Sequence, residues 1–228
     1  LGDVYKRQLE DGGTPSNGTG PDDDVSIGGN YMYTEASAPR QDGDFAIMYS
    51  EEIDLSTLTN PEIRFYTHMY GSAIGELQVD VFDNGSYTTI FNKIGEQVDA
   101  WVEEVILINP TSTIVHFRIT GMLGVNANGD TWPGDIAIDE FSVVEAIAND
   151  IEVSNTIMMS NCTFSNSEQL SMEIINNGIT LQSNFDVSYT VNGGQQVFET
   201  CNLVLNSGDT VNYTFNTTVD LSLSLIHI

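Results

Sequence analysis

Carboxylate oxygen is the reactive group this chain has in surplus. It carries 33 Asp and Glu against six Lys and Arg, a formal net charge of −27 over 228 residues. Carboxylates at that density supply ligands for hard cations such as calcium, which take several converging oxygens. The same charge repels nucleic acid and anionic membrane surfaces, and excludes both as partners. The stretch VNANGDTW (125–132) places Asn126, Asn128 and Asp130 at alternate positions, as an EF-hand loop begins. No Glu follows at the spacing of the bidentate ligand, so the stretch reads as a polar turn. His68 sits in the aromatic run RFYTHMYG and reads as a structural histidine. His116 has the opposite parity to Val115 and Phe117, which points it to solvent. HExxH, GxSxG, P-loop and GxGxxG patterns are all missing, and no signature selects two of the acids as a glycosidase pair. The chain therefore reads as non-catalytic. Cys162 and Cys201 lie in no CxxC or Cys/His cluster, which argues against zinc. They either pair in an oxidising compartment or remain two separate buried thiols. Trp132, beside Pro133 in a loop, is a candidate for stacking against a ligand such as a sugar ring.

The elements that position these groups read as β throughout. Short apolar-alternating runs separated by turn residues occupy 30–37, 44–50, 62–71, 75–83, 87–94, 101–108, 113–121 and 135–145. In ELQVDVF, Leu77, Val79 and Val81 share one face, with Gln78 and Asp80 on the other. Asn84-Gly85 between two such runs is a strong hairpin signal. No long 3.6-residue period appears, so two packed antiparallel sheets are expected. AIAND (146–150) reads as a linker. A second strand series follows, with a hairpin turn at Asn192-Gly193-Gly194 and an immunoglobulin-like pattern that lacks its last strand or two. No apolar run approaches the roughly 20 residues that span a bilayer.

The two ends form a matched pair. DVYKRQ (3–8) and LSLIHI (223–228) can be encoded by one DNA segment read in opposite orientations, and that segment resembles a transposon-end sequencing adapter. Residues 1–8 and 223–228 are therefore expected to be artefact, and residues 9–222 a fragment of a longer protein. The missing signal peptide then carries no information about compartment.

The first strand series resembles the MAM domain, an extracellular jelly-roll sandwich. The resemblance rests on GP (20–21), GNYMYTEAS (29–37), GDFAIMYS (43–50), PEIRFYTHMYGSAIGELQV (61–79), GEQVDAW (95–101), FRITG (117–121) and GDIAIDEFSV (134–143). Residues 1–161 contain no cysteine, as in the cysteine-free bacterial members, and the family's opening strands would precede residue 9. The second series looks like a CARDB-type adhesion module, on the NNG turn (176–178), FDVSYTVNGG (185–194) and ETCNLVLNSGDTVNYTF (199–215). The resemblance implies an all-β chain: a MAM-like jelly roll over 9–146, then a truncated immunoglobulin-like sandwich over 147–222. By position it implies a calcium or sodium site at Asp24, Glu35, Asp135 and Asp139. The competing reading of those four is hydrogen bonding to backbone amides or plain exposure. Asp135 and Asp139 share strand parity with Ala137 and Phe141, so an inward-facing Asp139 would need a cation or donors. Trp101 falls where the family has a core Trp. The implied role is recognition of an extracellular protein or glycan by a secreted or cell-surface protein. The alternatives are the accessory substrate-recognition region of a secreted hydrolase such as a peptidase, its catalytic domain lying outside the fragment, and carbohydrate binding.

Overall fold

The structure, a computed structural model, describes residues 7–157 and 165–222, without the side chains of Arg7, Gln8 and Ile157. Two compact units meet between Glu145 and Ala146. The first contains ten strands: β1 (Arg7–Glu10), β2 (Tyr31–Thr34), β3 (Phe45–Tyr49), β4 (Ile53–Asp54), β5 (Pro61–His68), β6 (Ile74–Asp83), β7 (Ser86–Ile94), β8 (Val102–Leu107), β9 (Ile114–Leu123) and β10 (Ile136–Glu145). They form two antiparallel sheets, β1-β2-β10-β5-β8 and β3-β9-β6-β7, with β4 on the flank of β9. This is the expected jelly-roll sandwich. All eight strands read from the sequence of this unit are present. The two-residue β4 lacked the length for a periodic signal.

Side-chain alternation builds the core. Leu77, Val79 and Val81 of β6 and Val115, Phe117 and Ile119 of β9 point inward from one sheet. Ile63 and Phe65 of β5 and Ile136 and Ile138 of β10 meet them from the other. The Asn84-Gly85 turn has φ of 48° and 85°, which suits the right-handed twist of β6 and β7, paired down to Asp83 and Ser86. The opposite face of β6 and β9 is not simply solvated. Asp80, 1% exposed, accepts bonds from Gln78, Thr89 and Arg118, and the Arg118 guanidinium lies 4.1 Å from the Tyr87 ring centre. His116, expected in solvent, is half-buried there. Its ring stacks on Phe82 at 4.6 Å and its Nε2 lies 2.9 Å from the Tyr87 hydroxyl. At the other flank, Lys93 of β7 pairs with Glu104 of β8 and so ties the two sheets at their edges.

One irregularity in β10 overturns an expectation. The register against β5 slips between Asp139 and Ser142, and Glu140 takes φ of 48°. The extra residue is a β-bulge, which breaks the period-2 alternation. Phe141 therefore does not share a face with Asp135, Ala137 and Asp139. It turns inward and packs on Phe65 and Phe117, with ring centres 5.6 Å and 5.2 Å away.

The second unit has β11 (Ile151–Ile157), β12 (Ser171–Asn176), β13 (Phe185–Tyr189), β14 (Val197–Cys201) and β15 (Thr210–Thr214), as a β11-β12-β15 sheet and a β13-β14 hairpin. Its core holds Met172, Ile174, Val187, Leu205, Tyr213, Phe215 and the fully buried Cys201. Cys162 lies outside the described residues, and so does its expected pairing with Cys201. The stretch read as a linker is built into this unit: Ile147 and Ala148 carbonyls accept from Ile179 and Thr180, and the Asp150 carbonyl from Asn177 and Gly178. Asn176 anchors that turn with no exposed surface. Its Nδ2 donates to the Thr180 and Leu205 carbonyls and its Oδ1 accepts from Gly178. Among the described residues no helix is long and apolar enough to cross a membrane.

Truncating Asn176 to Ala would remove three hydrogen bonds of a fully buried side chain, two to carbonyls and one from an amide, a loss of roughly 3 kcal/mol at about 1 kcal/mol per bond. Asn176→Ala is expected to lower the melting transition of the second unit and leave that of the first in place. Differential scanning calorimetry reads both, and an unchanged second transition would refute the anchoring role.

Candidate functional site

The site lies on the outer face of the β2-β10-β5 sheet, where a polar surface would ordinarily meet water. Three side chains there are apolar or aromatic and almost wholly buried: Tyr31 and Tyr33 from β2 and Ala137 from β10, with Trp101 against them. They alternate with Met32 and Thr34, which face the other way, so β2 is buried on both sides. What covers the outer side is the loop 11–30, rich in Gly, Ser and Asp and hence without a core of its own.

Hydrogen bonds strap this loop down. The Tyr31 hydroxyl donates to the Gly12 carbonyl at 2.6 Å, and Trp101 Nε1 donates to the Asp23 carbonyl at 2.9 Å. Thr19 Oγ1 donates to the Tyr70 carbonyl at 3.0 Å and accepts from the Asp135 amide at 2.9 Å. Burial raises the Tyr31 and Tyr33 phenols above their ordinary values, with nearby carboxylates adding to the effect. Trp101 sits edge-on to both Tyr31 and His68, each at 5.6 Å, and is a packing residue as its family position implies. His68 is buried, and that burial holds its pKa below the usual imidazole value against the opposing pull of Asp99, whose Oδ1 is 3.4 Å away. It is a buried histidine packed on an aromatic ring, the surroundings expected from the run RFYTHMYG.

The four carboxylates expected to share a cation are split into two pairs. Asp135 has no exposed surface. Its Oδ1 accepts from the Ala36 amide at 3.0 Å, and its Oδ2 has no hydrogen-bond partner. Burial, opposed by the Ala36 amide and the neighbouring Thr14 hydroxyl and reinforced by the charge of Glu35, pushes its pKa up to about 7. Glu35 accepts from the Ser37 amide and the Tyr33 hydroxyl. Four residues along the strand, about 13 Å at 3.3 Å per residue, Asp139 accepts from the Val25 and Glu140 amides. Asp24 is in that part of the loop. Its Oδ2 accepts from Ser26, and its buried Oδ1 has no partner. Gly29 leaves room for it, since a Cβ there would stand 1.8 Å from Asp24 Oδ2. Among the described residues no three Asp, Glu, His or Cys side chains meet as a metal-ligand set. A cation at Asp135 would therefore draw on two carboxylates, loop hydroxyls such as that of Thr14, and backbone carbonyls. That set suits a hard cation, which accepts carbonyl and water oxygens alongside carboxylates.

The remaining sequence candidates resolve simply. Asn126 Oδ1 accepts from the Asn128 and Asp130 amides, so 125–132 is a self-bonded turn. Trp132 is 46% exposed beside buried Pro133, and no ring among the described residues stacks on it. Sequence reasoning missed the strap: no periodic signal marks a coil that folds back on a sheet. The double-sided burial of YMYT was the available clue, because aromatics alternate there with other apolar residues.

The family model of the MAM domain (meprin/A5/mu) matches residues 6–146. A MAM domain-containing glycosylphosphatidylinositol anchor protein 1 from Gallus gallus is 33% identical over 130 residues, covering 55% of this chain and 13% of the relative. The human MAM domain-containing glycosylphosphatidylinositol anchor protein 2 is 32% identical over 157 residues, covering 63% and 16%. Neuropilin-1a of Danio rerio is 24% identical over 157 residues, covering 63% and 15%. The chain thus spans about a sixth or less of the length of these relatives. With the family model matching well over half the chain, and the jelly roll lying within the matched span, the chain belongs to the MAM family.

Proposed function

We propose that this chain is an extracellular recognition module, secreted or held at a cell surface, that binds a protein or glycan ligand and catalyses nothing itself. The observation that carries the reading is the MAM family match over residues 6–146, with its jelly-roll sandwich. The names of the relatives as surface-anchored proteins support the location. Beads coated with the full chain are expected to attach to surfaces presenting extracellular protein or glycan. Hydrolysis of peptide or glycan substrates by the chain itself would overturn the non-catalytic reading. Exposed Trp132 offers a face on which a sugar ring could stack at its own loop, the carbohydrate-binding alternative. Retention on a glycan array is expected to fall by about tenfold in Trp132→Ala, and unchanged retention would remove the sugar reading.

The strap is proposed to be held by a hard cation, calcium first, at Asp135 and Glu35. The unpartnered Asp135 Oδ2, sealed from water beside a second carboxylate, supports that placement. The bound ion would neutralise the pair and keep the loop on Tyr31 and Tyr33. Added calcium is expected to raise the melting temperature of the first unit at pH 8, and Asp135→Asn to abolish the rise. No shift with calcium or with a chelator would refute the site.

A pH measurement without divalent ions isolates Asp135. Its folded pKa lies above its unfolded value, 3.8 moving to about 7, so its contribution is most favourable below pH 4 and is lost as pH rises through 7. The difference amounts to roughly 4 kcal/mol at 1.36 kcal/mol per pKa unit. Denaturant unfolding from pH 4 to 8 is expected to show that decline in the native chain and not in Asp135→Asn; parallel profiles would overturn it.

A further inference from the structure

Strand register sets the outer face of the β3-β9-β6-β7 sheet in rows. Tyr49 of β3 lies opposite Arg118 of β9, Arg118 opposite Asp80 of β6, and Asp80 opposite Thr89 of β7. The adjoining row holds His116, Phe82 and Tyr87. β6 and β9 are each laddered on both flanks, so their backbone groups are committed and recognition on this face falls to side chains.

The rows are held rigid from beneath. Asp80 is almost wholly buried on the side of β6 that turns away from the core. Burial penalises its charge, but bonds from Thr89, Arg118 and Gln78 outweigh that and keep its pKa below the usual carboxylate value. Such a carboxylate adds nothing to an apolar core. What it does is fix Arg118, whose Nε and Nη2 both lie 2.9 Å from Asp80 Oδ2 while the guanidinium rests on the Tyr87 ring. A surface arginine normally loses rotamer freedom when it binds; this one has lost it beforehand, with Nη1 left to donate. The Tyr87 hydroxyl in turn meets His116 Nε2, and His116 lies on Phe82. Beside this fixed cluster Tyr49 is 55% exposed, and no ring among the described residues stacks on it.

We propose that this face is a platform for a neutral glycan, with Tyr49 stacking on the apolar side of one pyranose ring and Arg118 Nη1 donating to a hydroxyl or acetamido oxygen of the next. The inference rests on the reading of this module as a binder of protein or glycan, and names the face and the class of sugar. Polarity favours sugar over protein. The centre of a protein interface is apolar and depleted of charge, whereas this face is centred on an ion pair. Around it stand the amide of Gln78 and the hydroxyls of Thr89 and Thr120, which match the hydroxyls of a sugar. Charge favours a neutral sugar over an acidic one. Asp80 already cancels Arg118, and an anionic chain would meet exposed Glu51 and Glu52 just past Tyr49 and a net charge of −27. Tyrosine suits the stacking role, since it offers a large rigid surface at small entropic cost.

The test is a nuclear magnetic resonance titration of the isotope-labelled full chain with cellopentaose and chitopentaose, and with oligogalacturonate as the acidic arm. At least one neutral sugar is expected to shift the amide signals of Tyr49 and of 116–120, and oligogalacturonate to leave them in place. Tyr49→Ala, at an exposed position, should weaken binding about tenfold without moving the melting temperature. Arg118→Lys keeps the charge but loses the planar fork, and should weaken binding as much. In Trp132→Ala the shifts at 116–120 should persist, which separates this face from the Trp132 loop. Loss of those shifts in Trp132→Ala, full affinity in Tyr49→Ala, or a preference for oligogalacturonate overturns the platform. Signals at 116–120 that move with protein concentration alone assign the face to a second copy and also overturn it. If neither neutral sugar moves them, the platform falls, while attachment of coated beads to protein surfaces would leave the recognition reading in place.

Discussion

A carboxylate sealed from water is an expensive thing for a protein to hold, and the geometry around Asp135 shows what it secures. Its amide bonds Thr19 from the covering loop, and its Oδ1 bonds Ala36 just beyond β2. One residue thus fastens the loop, β2 and β10 together at a single point. Burial of Tyr31, Tyr33 and Trp101 on the outside of the sheet follows from that fastening. Those rings would otherwise form a broad exposed aromatic patch of the kind that drives nonspecific association. Without the strap, the sandwich would still have its inner core, but the outer face of the β2-β10-β5 sheet would be a different surface.

The sandwich itself was legible because β-strands advertise their faces. Alternation in ELQVDVF and TIVHFRIT placed Leu77, Val79, Val115 and Phe117 inward, and they are there. Asn84-Gly85 forecast its turn because few other pairs tolerate two consecutive left-handed residues. Legibility failed where a local rule is broken by a non-local one. Period-2 reasoning carried Phe141 to the face of Asp139, and one inserted residue at Glu140 reversed it. Nothing in the sequence of 135–145 announces the bulge, since Glu gives no steric reason for a positive φ. The four carboxylates were collected by their positions in a family pattern, but pattern order does not encode distance. Strand rise alone keeps Asp135 and Asp139 about 13 Å apart.

The few basic residues are used sparingly and locally. Arg64 is committed to Glu62 and Glu103, Lys93 to Glu104, and Arg118 to Asp80 and the Tyr87 ring. Each joins neighbouring strands or sheets, and each sits where an acid is at least partly withdrawn from water. The remaining acids form a surface of nearly uniform sign. Such a surface discriminates by charge before any contact forms, over about 8 Å at physiological salt. Any approaching molecule therefore meets the long-range field before it meets the shape of the surface.

The order of strands in the first sheet has a mechanical consequence. β1 and β10 both run antiparallel to β2, so they point the same way, with Leu9 level with Met32 and Ile138, and Glu145 at the far end of β10. Tension applied to β1 at Leu9 and to β10 at Glu145 would pull the strands along their lengths, in opposite directions. The hydrogen bonds lie across that pull, so the ladder is loaded in shear and its bonds resist together instead of peeling one at a time. Glu145 sits where the load exits, and its carboxylate grips the Thr59 and Asn60 amides of the turn before β5. A domain carried at a surface and tugged through its ends would therefore resist as a clamp, with strand direction as the source of its grip.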